Sequence, residues 1–92
     1  MSFPINFYKV SGSSMLPEFK SGDLVVILRS KKLNTTDVVV AEVKGKKILK
    51  RITKKVNNHF WLEGDHGGAS TDSRSFGWVS KSQIIGKVVF KL

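Results

Sequence analysis

The chain has 92 residues, 40% of them hydrophobic, with sixteen Lys and Arg against seven Asp and Glu for a formal charge of +9, and no cysteine. That length supports one small domain with a modest core and leaves no room for a second module. Without cysteine there is no disulfide framework, thiolate zinc site or cysteine nucleophile, while the charge would attract acidic polypeptide, anionic lipid or nucleic acid without choosing among them.

Phe3 to Val10 alternates imperfectly and predicts an entering strand or extended arm, with Pro4 marking its start as an edge. Ser11 to Pro17, SGSSMLP, reads as a turn. Turn chemistry in Ser21-Gly22-Asp23 precedes Leu24 to Leu28, a β-branched run expected to be buried on both faces. Arg29 to Thr36 is a polar surface connection. Asp37 to Val43 and Lys46 to Thr53 predict two strands joined by a tight hairpin at Lys44-Gly45. A polar turn is expected over Lys54 to Asn58, a strand over His59 to Glu63, and a loop from Gly64 to Ser75. Order resumes at Trp78 and Val79, with one helical turn around Ser80 to Gln83. A last strand covers Gln83 to Leu92, with a bend or bulge at Gly86. Short strands separated by glycine-marked turns, with no sustained 3.6-residue period, predict an all-β fold, a small barrel-like or coiled antiparallel sheet.

The longest apolar run, Leu24 to Leu28, has five residues against the roughly twenty that span a bilayer. Met1 to Val10 lacks the basic start, apolar stretch and small-residue cleavage site of a signal peptide. The expectation is a soluble or peripheral chain with no transmembrane segment, in the cytoplasm rather than exported.

Candidate chemistry rests on Ser14 and, 36 residues later, Lys50. A serine hydroxyl attacks a carbonyl only when a nearby base takes its proton, and a lysine serves if its surroundings keep it neutral. Period-2 alternation from Lys46 to Thr53 places Ile48, Lys50 and Ile52 on one side and Lys47, Leu49, Arg51 and Thr53 on the other. Lys50 is therefore flanked by isoleucines, where an ammonium is costly and a lowered pKa follows. Against this stand the plain alternatives: a Gly-Ser-Ser run before proline as an ordinary loop, and a strand lysine on the solvated face. No HExxH or other ligand spacing is present, so neither metal nor cofactor is expected.

A third stretch, GDHGGASTDSRSFG from Gly64 to Gly77, makes the pattern specific. With Ser14-Met15-x-Pro17, Gly22-Asp23 and Lys50-Arg51, it resembles the catalytic core of the Ser/Lys-dyad peptidases, the group holding the type I signal peptidases and the self-cleaving SOS repressors. The spacing G-D-x(4)-S-x-D-S-R-x-x-G is that of signal peptidases. The resemblance implies a serine endopeptidase with Ser14 as nucleophile and Lys50 as base, acting on a precursor polypeptide to remove a leader or signal-type segment. It further implies that Ser70 orients the Lys50 amine and that Asp72 and Arg74 form an ion pair with Arg51 near it. Asp65 reads as a turn-former. For the oxyanion it points to the backbone N–H of Ser14. Signal peptidases carry a serine two positions before the nucleophile, where this chain has Gly12, so Ser13, Ser11 or a backbone group would complete the set. Met15, Leu16 and Ile48 are candidates for shallow apolar substrate pockets. With thirteen residues before Ser14 and no Ala-Gly or Cys-Gly bond among them, self-cleavage is not expected and the substrate is separate. Short anchorless members of this kind are similar to the maturation proteases that trim the leader of nickel superoxide dismutase.

Three rivals accompany this reading. His66, or His59, could replace Lys50 in a histidine-based arrangement. The domain could be an inactive peptidase-like binding module. Alternatively, +9 together with Phe60, Trp61, Phe76 and Trp78 could serve a single-stranded nucleic acid, although no nucleic-acid partner is expected.

Overall fold

In the computed structural model, residues 4–67 and 71–92 are described. The strands are β1 (Ile5–Lys9), β2 (Leu24–Leu28), β3 (Val38–Val43), β4 (Lys46–Val56) and β5 (His59–Glu63). A one-turn helix α1 (Ser73–Phe76) follows, then β6 (Val79–Ser80), a 3-10 turn (Lys81–Gln83) and β7 (Ile84–Lys91).

All seven strands form one sheet in the order β1-β2-β7-β3-β4-β5-β6, antiparallel at every pairing. The last strand of the chain lies between β2 and β3, which joins the two halves. The all-β antiparallel expectation holds, but the barrel does not: no pairing joins β1 to β6, and β6 meets β5 over only two residue pairs. The sheet is open. Its register shifts at three places, between Val26 and Ile27, between Val40 and Ala41, and between Ile52 and Lys54. Each irregularity adds local twist and coils the sheet without closing it.

Coiling lets the sheet carry apolar clusters on both faces. Val25, Ile27, Val38, Val40 and Leu49 pack with Met15 and Phe19 on one side. Val39, Ala41, Ile52, Phe60 and Leu62 pack with Leu33 and Val79 on the other. Central β3 is therefore buried on both sides from Val38 to Ala41. For β2 the expectation of two buried faces is corrected, since Val25 and Ile27 are buried while Leu24 is exposed and Val26 and Leu28 are half-buried. Its second face, carrying Val26 and Leu28, is therefore only partly covered. Of the four aromatics, Phe60 and Phe76 are corrected as stacking faces, while Trp78 stays exposed and Trp61 half-buried. Phe60 is core, Phe76 packs against the same cluster, and Trp61 and Trp78 meet edge to face at 5.2 Å.

The β3–β4 hairpin turns at Lys44 and Gly45, both at positive φ (52° and 79°), the backbone of a tight primed turn. Beyond Thr53, β4 continues to Val56, so the turn expected from Lys54 shrinks to Asn57-Asn58, with Asn57 at φ 53°. Lys54 tolerates strand geometry because its stem is solvated and its amine lies 5.3 Å from the Trp61 ring centre. The loop expected through Ser75 is shortened by α1, capped by Asp72. The helical turn expected near Ser80 is found as Lys81–Gln83, where the Ser80 N–H donates to Gln83 Oε1 at 2.9 Å. At Gly86, β7 runs so close to β2 that an added Cβ would stand 3.1 Å from the Leu28 carbonyl oxygen.

Candidate active site

The turn carrying Ser14 is pinned from below. Met15 and Phe19 insert into the first apolar cluster, and the Phe19 N–H donates to the Met15 carbonyl at 2.9 Å. The base of the loop is closed by Val10 N–H to the Asp23 carbonyl and Gly22 N–H to the Val10 carbonyl, both 2.8 Å. With its neighbour buried, Ser14 is left partly open at the surface. Its carbonyl accepts the His66 N–H at 2.8 Å. Among the described residues the Ser14 amide N–H has no acceptor. Gly12, two residues earlier, has φ 87°, a backbone that favours glycine over the serine of the resembled motif.

Lys50 lies mid-β4, opposite Val39, between Ile48 and Ile52 on the face that packs with the second cluster. Only 5% of it is exposed, and its amine donates to Ser14 Oγ at 2.7 Å. Burial, the largest influence, pushes the Lys50 pKa below its ordinary value. The Asp72 carboxylate pulls it back up and the Arg74 guanidinium pushes it down again. Both histidines are exposed, and His66 meets Ser14 through its backbone. Among the described residues, the side chain within hydrogen-bond reach of the hydroxyl is the lysine.

Asp72, 1% exposed, accepts from the Gly64 N–H at 2.9 Å and from the Arg74 N–H at 3.1 Å. It also accepts from Arg74 Nε at 3.0 Å and Nη2 at 2.6 Å. The Asp72–Arg74 pair is therefore present, and it is not a solvated surface cluster. Buried Ser73 adds a second tie, its hydroxyl accepting the Leu62 N–H at 2.8 Å.

Arg51 is a correction. Expected beside the Asp72–Arg74 pair, it instead grips Asp65 through two bonds of 2.9 and 2.8 Å, Glu18 at 2.5 Å and the Thr36 carbonyl at 2.8 Å. Successive strand residues point to opposite faces, so the residue after Lys50 cannot share its surroundings. Asp65 is accordingly an ion-pair partner as well as a bend residue. Glu18 was not foreseen from the sequence, because no local spacing relates a carboxylate in the Ser14 turn to an arginine 33 positions on.

Of the pocket candidates, Met15 is corrected: at 1% exposure it is core and lines no surface. Leu16 is half-buried. Ile48 lines a cavity of about 310 Å³ with Val43, Thr71, Ser75 and Phe76. Ile48 shares the Lys50 side of β4. Ser13 is exposed, and Ser70 lies outside the described residues. Among the described residues no group of three or more His, Asp or Glu is placed to hold a metal ion.

An antiparallel sheet that presents a serine hydroxyl to a buried lysine amine is the arrangement of a Ser/Lys-dyad, signal-peptidase-like domain. The chain belongs to the Peptidase S24-like family, whose model matches residues 4–89. It is also 44% identical over 45 residues to the mitochondrial inner membrane protease subunit 1 of Xenopus tropicalis, a match covering 49% of this chain and 27% of that relative. No helix among the described residues is long and apolar enough to cross a membrane.

Proposed function

We propose that this protein is a serine endopeptidase in which Ser14 attacks and Lys50 serves as base, removing a leader or signal-type segment from a precursor polypeptide supplied in trans. The observation that carries the reading is the 2.7 Å contact between the Ser14 hydroxyl and a nearly buried amine. An ordinary lysine with a pKa of about 10.4 is neutral in roughly one molecule per thousand near pH 7.4, and each unit of lowering raises that fraction tenfold. Burial of Lys50 therefore bears directly on rate.

Once neutral, the amine accepts the Ser14 proton as Oγ attacks the scissile carbonyl carbon. The resulting ammonium returns the proton to the leaving amine, giving an acyl-enzyme and a new N-terminus. A water molecule, deprotonated by the same amine, then attacks the ester and releases the acid and the serine. The Ser14 N–H is offered as one oxyanion donor, with Gly12 and Ser13 as candidates for the second; one such donor is typically worth about 2.7 to 4 kcal/mol of barrier. The hollow beside Ile48 is a candidate site for an apolar substrate side chain, and half-buried Leu16 is a candidate for another contact. Asp72 and Arg74 would hold the loop that faces Lys50, with Ser70 as a candidate orienter of the amine.

The test is turnover of a precursor peptide with small residues before the cut, followed by mass spectrometry, in the wild type, Ser14→Ala and Lys50→Ala. Single-bond cleavage by the wild type and none by either variant is expected. Equal turnover in either variant would refute the dyad. No turnover by the wild type across a panel of such precursors would favour the inactive binding module.

A further inference from the structure

A cavity of about 500 Å³ lies between the Arg29–Leu33 connection and the Lys81–Ile85 turn, lined by residues none of which belongs to the dyad. Its walls carry Arg29, Lys31 and Lys81, together with the hydroxyls of Ser30 and Ser82 and no carboxylate. Leu33, buried in the second apolar cluster, and Ile84, packed against it, give it an apolar floor. Among the described residues, none of those three cations makes an ion pair.

Both walls are held in place. The Arg29 N–H donates to the Pro4 carbonyl at 2.7 Å. Ser30 Oγ donates to the Lys32 carbonyl at 3.2 Å and accepts the Lys32 N–H at 3.1 Å, which folds the connection into a turn. From the facing wall Lys81 Nζ donates to the Lys31 carbonyl at 3.1 Å, and Lys87 Nζ reaches the Lys32 carbonyl at 3.2 Å. An ammonium has three donors, so Lys81 is fixed at the seam with two left over. Lys87 lies 4.0 Å from Asp37 and is partly neutralised.

We infer that this cavity binds a phosphate monoester carrying an apolar or ring-shaped body. Three cations without an ion pair among the described residues suit a dianion with three acceptor oxygens, which takes bidentate bonds from an arginine fork. A lone phosphate would fill little of a volume in the range of about 300 to 1,000 Å³ typical of small-molecule sites, and the aliphatic floor accepts the remainder. The same chemistry is presented by a soluble phosphate ester and by the headgroup of phosphatidic acid.

The experiment titrates the full chain with phenyl phosphate and, separately, with vesicles of phosphatidylcholine with and without phosphatidic acid. Binding is followed by amide NMR shifts and by vesicle co-sedimentation. Saturable 1:1 binding of phenyl phosphate with shifts confined to residues 29–33 and 81–85 is expected, weakened about tenfold or more in the Arg29→Gln/Lys81→Gln double variant. Lys54→Gln/Lys55→Gln removes the same charge from the β4–β5 hairpin and should leave the affinity unchanged. Phosphatidic-acid binding lost with Arg29 and Lys81 identifies the lipid headgroup as the source, whereas phenyl phosphate binding alone identifies a soluble ester. Equal weakening by both double variants, shifts spread over the surface, or no saturation by either probe would overturn the site.

Discussion

Replacing Asp72 with alanine isolates what a buried carboxylate contributes to the loop facing Lys50. Two of its donors, Arg74 Nε and Nη2, belong to a side chain that is half exposed and can turn to water when the carboxylate is gone. The Arg74 amide, in the first turn of α1, loses its cap, which costs about 0.5 to 2 kcal/mol. The Gly64 amide is different, because Gly64 is buried and its N–H would be stranded at a cost of about 1 to 3 kcal/mol. Together these give a loss of about 3 kcal/mol. Urea unfolding monitored by Trp61 and Trp78 fluorescence should then show the midpoint falling by about 3 M at a slope near 1 kcal/mol/M. Arg74→Met, which keeps the carboxylate, its cap and its bond to Gly64, should lower the midpoint much less. Equal losses in the two variants would refute the buried cap as the source. Asp72→Asn removes the charge while retaining a good capping side chain. Because Asp72 raises the Lys50 pKa, the variant should shift the acid limb of the pH–rate profile to lower pH; a shift to higher pH contradicts the electrostatic assignment.

Lys50→Met should stabilise the fold, by an amount that depends on pH. The Lys50 pKa is lower in the folded chain than the ordinary 10.5, so below the folded pKa both states are protonated and the cost of burying the charge is complete. As pH rises through the folded value toward 10.5 the unfolded chain binds more protons and that cost disappears. Unfolding in urea at pH 6, 8 and 10 should show the advantage of the variant shrinking; an advantage that grows with pH is the opposite of what this linkage requires. Glu18→Gln, which loosens the clamp from Arg51 to the Ser14 turn, should reduce kcat by up to about 100-fold with KM unchanged. Glu18 is itself half exposed, so stability should move by less than about 1 kcal/mol; a KM effect alone would argue for substrate contact instead. Gly86→Ala forces a Cβ to within 3.1 Å of the Leu28 carbonyl oxygen and 3.2 Å of its carbon, an overpacking that costs about 1 to 3 kcal/mol. A Tm drop of about 4 to 8 °C per kcal/mol is expected for a domain of this size, and an unchanged Tm would show that β2 and β7 separate freely.

What could be read from the chain alone was local. Alternation around Lys50 put its side chain among isoleucines, Lys44-Gly45 marked a hairpin, and Ser80 to Gln83 marked a helical turn; each depends on neighbours within a few positions. The limits of local reading show at Met15, which looked available as a pocket wall until the turn packed it against Val25 and Leu49. They show again at Leu24 to Leu28, where a continuous apolar run does not reveal that one face is only partly covered.

The structure alone decided which distant segments meet. Arg51 could be assigned a face from its place beside Lys50, yet its partner Asp65 is brought in by the β4–β5 pairing that sets Arg51 opposite Glu63, and Glu18 comes from the β1–β2 connection, joined to β4 only through β7 and β3. Whether the sheet closes was equally beyond local pattern, because closure depends on the accumulated twist and register shifts of seven strands and on whether its two ends pair. Side-chain direction along a strand follows from backbone sterics repeated every two residues, whereas the company each side chain keeps follows from long-range pairing that no short window contains.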